Sequence, residues 1–204
     1  MKSFRNQIPF YLVYSRIVSA GLFILFCFIE FPMRDQWIVA LMLGGIVSDF
    51  FDGVLARKWG VSSEKLRIWD SNADQVFWLS AIACIFLINA TFLKSNLIII
   101  GVVIGLEALT YLVSFVRFKK PIATHSILAK LWTATLLLFL IDLCLNHESF
   151  WLYWICIGLG LVSRIEILLK ILSLKKWTTD VPSFFHVRKI NRNIPIKKSK
   201  WFNS

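Results

Sequence analysis

A chain of 204 residues that is 57% hydrophobic and carries a formal net charge of +11 is too apolar for an ordinary soluble domain. So large a cationic excess would suit nucleic-acid binding, but the basic residues fall where membrane topology demands them, and no nucleic-acid partner is expected. Cys27, Cys84, Cys144 and Cys156 lie in separate apolar runs without CxxC spacing, which reads as small buried hydrophobes and excludes a disulfide or zinc framework.

Apolar runs of about 20 residues, the length a bilayer span requires, recur at about 10–31, 36–56, 70–92, 96–116, 126–146 and 150–172. The first follows Lys2 and Arg5, but it is too long for a signal-peptide core and lacks a small-residue cleavage site, so it reads as a retained span. The connections are short, and no repeat or linker divides the chain. The expected fold is an all-α integral membrane protein with six transmembrane helices: residues 1–172 form one catalytic membrane domain and 173–204 a basic tail. Arg57, Lys58, Lys65 and Arg67 surround the second connection, Arg117, Lys119, Lys120 and Lys130 the fourth, and a basic run extends from Lys170 to Lys200. The odd-numbered connections carry only Arg34 and Lys94. That alternation places both termini and the even-numbered connections in the cytoplasm, with the basic tail on anionic headgroups.

The inner ends of the second and third spans hold four carboxylates, Asp49, Asp52, Asp70 and Asp74. A charged group at membrane depth is unfavourable by roughly 2.5–3.5 kcal/mol on insertion scales, which makes such residues functional candidates. Asp49 and Asp52 are i,i+3 neighbours and Asp70 and Asp74 are i,i+4 neighbours, so each pair shares a helix face. Arg57 alone cannot neutralise four anions. All-oxygen ligation suits Mg²⁺ or Mn²⁺, and two such ions are the usual device for holding a diphosphate during in-line displacement. Gly53 removes a side chain where substrate could approach the backbone, and Arg57 suits bidentate phosphate contact. The bland alternative is four helix-end charges paired with Lys58, Lys65 and Arg67, with Asp70 as an N-terminal cap.

Asp49, Asp52, Gly53, Ala56, Arg57, Asp70 and Asp74 resemble the signature of the CDP-alcohol phosphotransferases, Asp-x2-Asp-Gly-x2-Ala-Arg-x8-Gly-x3-Asp-x3-Asp, with correct spacing throughout. The departure is Leu66, where the family usually has Gly. Ile8, Pro9, Leu12 and Arg16 are similar to an Ile-Pro-Asn-x-Leu-Thr-x-x-Arg segment of many members, with Phe10 and Val13 replacing Asn and Thr. The resemblance implies a six-helix membrane enzyme of phospholipid biosynthesis that transfers a phosphatidyl group from a CDP-linked lipid to a polar alcohol and releases CMP. It implies that the four Asp residues hold two divalent ions, that Asp74 acts as general base, and that Gly53, Ala56 and Arg57 contact the CDP moiety. Arg67 shares a face with Asp70 and Asp74 by i,i+3 and i,i+7 spacing, and could reach the diphosphate or ribose to offset Leu66.

Ser126, Lys130 and Thr133 look like a degraded Ser-x-x-Gly-Lys-x-Lys-Thr stretch of glycerophosphate-accepting members, with Ala129 and Trp132 as the departures. Lys130 and Arg164 are therefore candidates for acceptor binding. Arg164 could equally snorkel to the interface, and Glu166 pair with Lys170 at i,i+4. Glu107, deep in the fourth span, has no evident partner. His125, His147 and His186 are scattered, and Asn89-Ala90-Thr91 is a coincidental sequon. Gly101 and Gly105 form a helix-packing motif that points to a homodimer. The expected acceptor is glycerol 3-phosphate. Inositol phosphate, serine or phosphatidylglycerol would use the same chemistry. The rival from another class is a divalent-cation transporter, whose ionisable groups belong near the midplane on interrupted helices, whereas these carboxylates gather at one face.

Overall fold

The computed structural model describes residues 2–59, 64–120, 126–178, 181, 183–192 and 194, and it omits the side chains of 2–6, 9, 50, 52–53, 56–58, 64–68 and 70–71. The described residues form six long helices and no strand: α1 (Lys2–Phe28), α2 (Arg34–Lys58), α3 (Glu64–Ile88), α4 (Ala90–Phe118), α5 (Ile127–Asn146) and α6 (Trp151–Ser173). A 3-10 turn (Phe184–His186) and a short α7 (Val187–Asn191) follow.

Local chemistry explains the breaks. Pro32 follows closely on the end of α1, where a helix cannot continue. Lys119 and His147 adopt φ values of 54° and 59° directly after α4 and α5, and their amides donate to Phe115 and Leu143, closing the last turns as a glycine would. The α3–α4 junction differs from expectation. Residues 93–95, with Lys94, read as the connection, yet they are helical, and the break is at Asn89. Its side-chain amide donates to the Ile85 carbonyl at 2.9 Å, and its own carbonyl accepts from Leu93 N–H at 3.0 Å. One residue thus ends α3 and starts α4. Asn89 is buried, which leaves its sequon closed to modification.

The long helices run from 20 to 29 residues, about 30–43 Å at 1.5 Å per residue. The segments Phe10–Phe28, Ala90–Phe118 and Ile127–Asn146 are long and apolar enough to cross a bilayer, and Asn72–Ile88 is a shorter apolar helix. Outward residues such as Ile98, Val116 and Trp151 are largely exposed, as lipid-facing positions are. Apolar helices of this kind make the protein an integral membrane protein. The charges interrupting the other runs are those of the candidate sites: Asp49, Asp52 and Arg57 on α2, Arg67, Asp70 and Asp74 on α3, and Arg164, Glu166 and Lys170 on α6.

The chain divides into two compact units, Met1–Leu93 with Leu143–Glu148, and Lys94–Asp142 with Ser149–Ser204. In the first, α1 packs on both α2 and α3. Val13, Arg16, Ala20 and Phe23 form the buried stripe of α1 at helical spacing, facing Ile38 and Met42 of α2 and Ala73, Phe77 and Ala81 of α3. Phe23 and Phe77 meet edge to face at 5.3 Å, and the Phe77 ring fills the space a side chain at Gly45 would need. Away from the aspartates, His147 Nδ1 lies 2.9 Å from Asn89 Oδ1 and Nε2 lies 3.6 Å from Asp35.

In the second unit the interior faces of α4 and α6 carry small and polar groups, including Thr110, Ser114, Gly160 and Ser163, as close packing between membrane helices favours. Part of the basic tail is folded. Leu174, Val181 and Val187 form a buried cluster against Phe118 and Ile190. Asn191 ties it down, donating to the Ser173 carbonyl and accepting from the Lys175 amide.

Candidate active site

Two carboxylates and one guanidinium meet in the first unit. Ile38, Met42, Gly45 and Asp49 recur at helical spacing along α2, so the face that buries the core also delivers Asp49 near its C-terminal end. Asp74 lies one residue beyond the buried Ala73 on α3. Arg16 occupies a core position of α1. Its Nη1 donates to Asp49 Oδ1 at 2.9 Å and also pairs with Asp74 Oδ1.

Burial is graded across this group. The Arg16 side chain is 1% exposed, against 49% for Asp49 and 35% for Asp74. An unpaired guanidinium at such a depth would be strongly unfavourable, so the carboxylates hold it in place while remaining partly exposed themselves. Charge-assisted bonds of this kind are about twice as strong as neutral ones. The arrangement links α1 to α2 and to α3 through one side chain.

Asp52 belongs to α2, three residues after Asp49, and Asp70 to α3, one turn before Asp74. Gly53, Ala56 and Arg57 follow on α2, and Leu66 and Arg67 precede on α3. The side chains of Asp52, Ala56, Arg57, Leu66, Arg67 and Asp70, and the surroundings of Gly53, lie outside the described residues. Among the described residues no group of three or more His, Cys, Asp or Glu gathers as a metal cluster. The pair that is described has the chemistry for one: two hard carboxylate oxygens converge on a single cationic atom, the donor type that Mg²⁺ and Mn²⁺ select.

A second polar group lies in the other unit. Arg164 Nε is 2.5 Å from Glu107 Oε2, and its guanidinium stacks 4.4 Å from the centre of the Trp132 ring. Trp132 in turn lies against Gly160, where a Cβ would meet its indole nitrogen at 2.7 Å. Arg164 therefore does not snorkel; it supplies the partner that Glu107 lacked in the sequence reading. Glu166 pairs with the fully buried Lys170 at 3.2 Å, as their spacing suggests. Glu166 also accepts from Ser126 Oγ at 2.5 Å and the Phe184 amide at 2.9 Å, while Lys170 donates to the Val181 carbonyl at 3.1 Å. Lys130, in the first turn of α5, is exposed. Thr133 bonds within its own helix, to the Ala129 carbonyl.

Sequence reasoning placed Asp49 and Asp74 together but gave Arg16 no role. The available signal was a charged residue on the apolar Val13–Ala20–Phe23 stripe, a position that demands a buried counter-charge.

The family model of the CDP-alcohol phosphatidyltransferases matches residues 6–162, a span that includes Arg16, all four aspartates and Glu107. No curated protein and no solved structure matches the chain.

Proposed function

The chain belongs to the CDP-alcohol phosphatidyltransferase family, and from that premise we propose that it transfers a phosphatidyl group from CDP-diacylglycerol to glycerol 3-phosphate with release of CMP. Membership itself establishes an enzyme class of lipid synthesis that takes a phosphatidyl group from a CDP-alcohol. The observation that supports the site is the convergence of Asp49 and Asp74 on one cation, on the two helices that carry the rest of the signature.

In this reading Asp49, Asp52, Asp70 and Asp74 hold two divalent ions, Mg²⁺ or Mn²⁺. When bound, such ions neutralise the diphosphate and the charge that develops on the departing CMP. Gly53, Ala56, Arg57 and Arg67 receive the nucleotide and its phosphates. Asp74 takes the proton of the acceptor hydroxyl. The acceptor oxygen then forms a bond to the lipid-bearing phosphorus as the bond from that phosphorus to the bridging oxygen breaks, and the electron pair leaves with CMP. Lys130 and Arg164 bind the acceptor phosphate. Lys130 is exposed, while Arg164 is buried and ion-paired with Glu107.

The helices cross the membrane six times with both termini and the aspartates at the cytoplasmic face, where soluble acceptor arrives and CMP leaves. The basic bias of the even connections supports this. Cysteines introduced near Arg34, Lys94 and His147 should react with an impermeant thiol reagent from outside, and those near Lys58 and Lys119 should not; the reverse pattern would contradict the orientation. Gly101 and Gly105 are exposed, with open space where a Cβ would lie, which supports a homodimer through α4.

The nucleotide assignment is tested by titrating purified protein with CMP and CDP-diacylglycerol in Mn²⁺. Saturable binding that weakens in Arg67→Ala more than in Lys65→Ala is expected. Absence of affinity for both ligands would mean that Leu66 closes the site to cytidine.

A further inference from the structure

Arg16 and a divalent ion make the same demand on the same carboxylates. Asp49 and Asp74, proposed to ligate metal, are the residues whose Oδ1 atoms the Arg16 guanidinium engages. Arg16 comes from the buried side, at 1% exposed, while Asp49 is 49% and Asp74 35% exposed, so a cation approaches them from solvent. Once it arrives, two positive groups share the same two carboxylates in a partly desolvated setting, and their repulsion is strong. The guanidinium cannot lose its charge to relieve this.

We propose that Arg16 is a built-in counter-ion that competes with divalent metal for Asp49 and Asp74, so that the ions are held firmly only together with the donor's diphosphate. The inference rests on the metal-dependent reading above. Arriving alone, a divalent ion must loosen a buried ion pair. Arriving with a diphosphate, it brings anionic oxygens that meet its own charge and leave the carboxylates partly available to Arg16. Metal and nucleotide then enhance one another's binding, and by linkage the enhancement is equal in both directions. The device holds the metal-free helices together, since one guanidinium on α1 draws Asp49 of α2 and Asp74 of α3 toward it and screens their mutual repulsion.

The test uses the full chain in lipid nanodiscs. Mn²⁺ is titrated alone and in saturating CDP, with free Mn²⁺ followed by electron paramagnetic resonance, and melting is recorded in EDTA. In Arg16→Gln the apparent Kd for Mn²⁺ alone should fall about tenfold, equivalent to about 1.4 kcal/mol, and the enhancement by CDP should shrink by the same factor. The melting temperature in EDTA should drop and be recovered by Mn²⁺, or by adding Asp74→Asn, which removes the repulsion. Arg16→Lys keeps one charge but reaches one carboxylate at a time, so its Mn²⁺ affinity should lie between the two; it serves if the glutamine variant does not fold.

Mn²⁺ affinity unchanged or weakened in a folded Arg16→Gln or Arg16→Lys protein would overturn the proposal, as would wild-type melting of Arg16→Gln in EDTA. Failure of Mn²⁺ to bind any form, with the Asp74→Asn rescue intact, would overturn the competition and the metal reading together.

Discussion

Asp74→Asn is expected to abolish phosphatidyl transfer while leaving the fold and most of the donor affinity in place. Asn is isosteric but cannot take a proton from the acceptor hydroxyl, and a general base contributes about 10²–10⁴-fold. The same change removes one of the proposed anionic metal ligands, so kcat should fall by about 10³-fold or more. Arg16 keeps its 2.9 Å bond to Asp49, so the buried guanidinium is not left alone and the helices should remain assembled. Asp52→Asn should show a comparable loss of kcat together with weaker Mn²⁺ binding. Steady-state CMP release by each variant, beside its melting curve, checks both. Turnover within tenfold of wild type in either would remove these aspartates from the chemistry.

Arg164→Ala should have the largest effect on stability. Arg164 is buried and ion-paired with Glu107 at 2.5 Å, with Trp132 stacked on its guanidinium. Removing it leaves a carboxylate uncompensated on a bilayer-spanning helix and empties the space against the indole. Breaking a buried pair on one side costs about 3–5 kcal/mol. Arg164→Met combined with Glu107→Gln should recover most of that, since neither half then carries an unmatched charge. Thermal unfolding in detergent, followed by tryptophan fluorescence, separates this from the acceptor role. A raised KM for glycerol 3-phosphate would accord with the acceptor role proposed above, while a variant that melts like wild type would contradict the stabilising role of the Glu107–Arg164 pair.

Much of this was legible in sequence because membrane helices announce themselves by length and apolarity, and because the aspartate motif has fixed spacing. The six runs correspond to six helices in the expected order. The α3–α4 junction was misplaced because the charged Lys94 draws the break to residues 93–95, whereas the real stop depends on one Asn satisfying a carbonyl four residues back, which leaves no trace in composition. The Glu107–Arg164 pair joins residues on separate helices, and a periodic pattern shows only which face each occupies. Arg164 was read as either an acceptor ligand or an interfacial cation for that reason. Arg16 was legible as part of a family-like segment, but its role depends on three helices converging. Glu166 and Lys170 were read correctly because their contact is local, one helical turn apart. The extra bonds from Ser126 and Phe184 to Glu166 were not, because they come from distant parts of the chain.

The most direct measurement is CMP release by the purified protein given CDP-diacylglycerol, Mg²⁺ or Mn²⁺, and one acceptor at a time: glycerol 3-phosphate, inositol phosphate, serine or phosphatidylglycerol. The expected result is metal-dependent CMP release with glycerol 3-phosphate, matched mole for mole by a phosphatidyl product identified by mass and absent in Asp74→Asn. Release with a different acceptor would keep the chemistry and correct the substrate. No release with any acceptor, from protein that melts cooperatively, would contradict the assignment of this chain as an active phosphatidyltransferase.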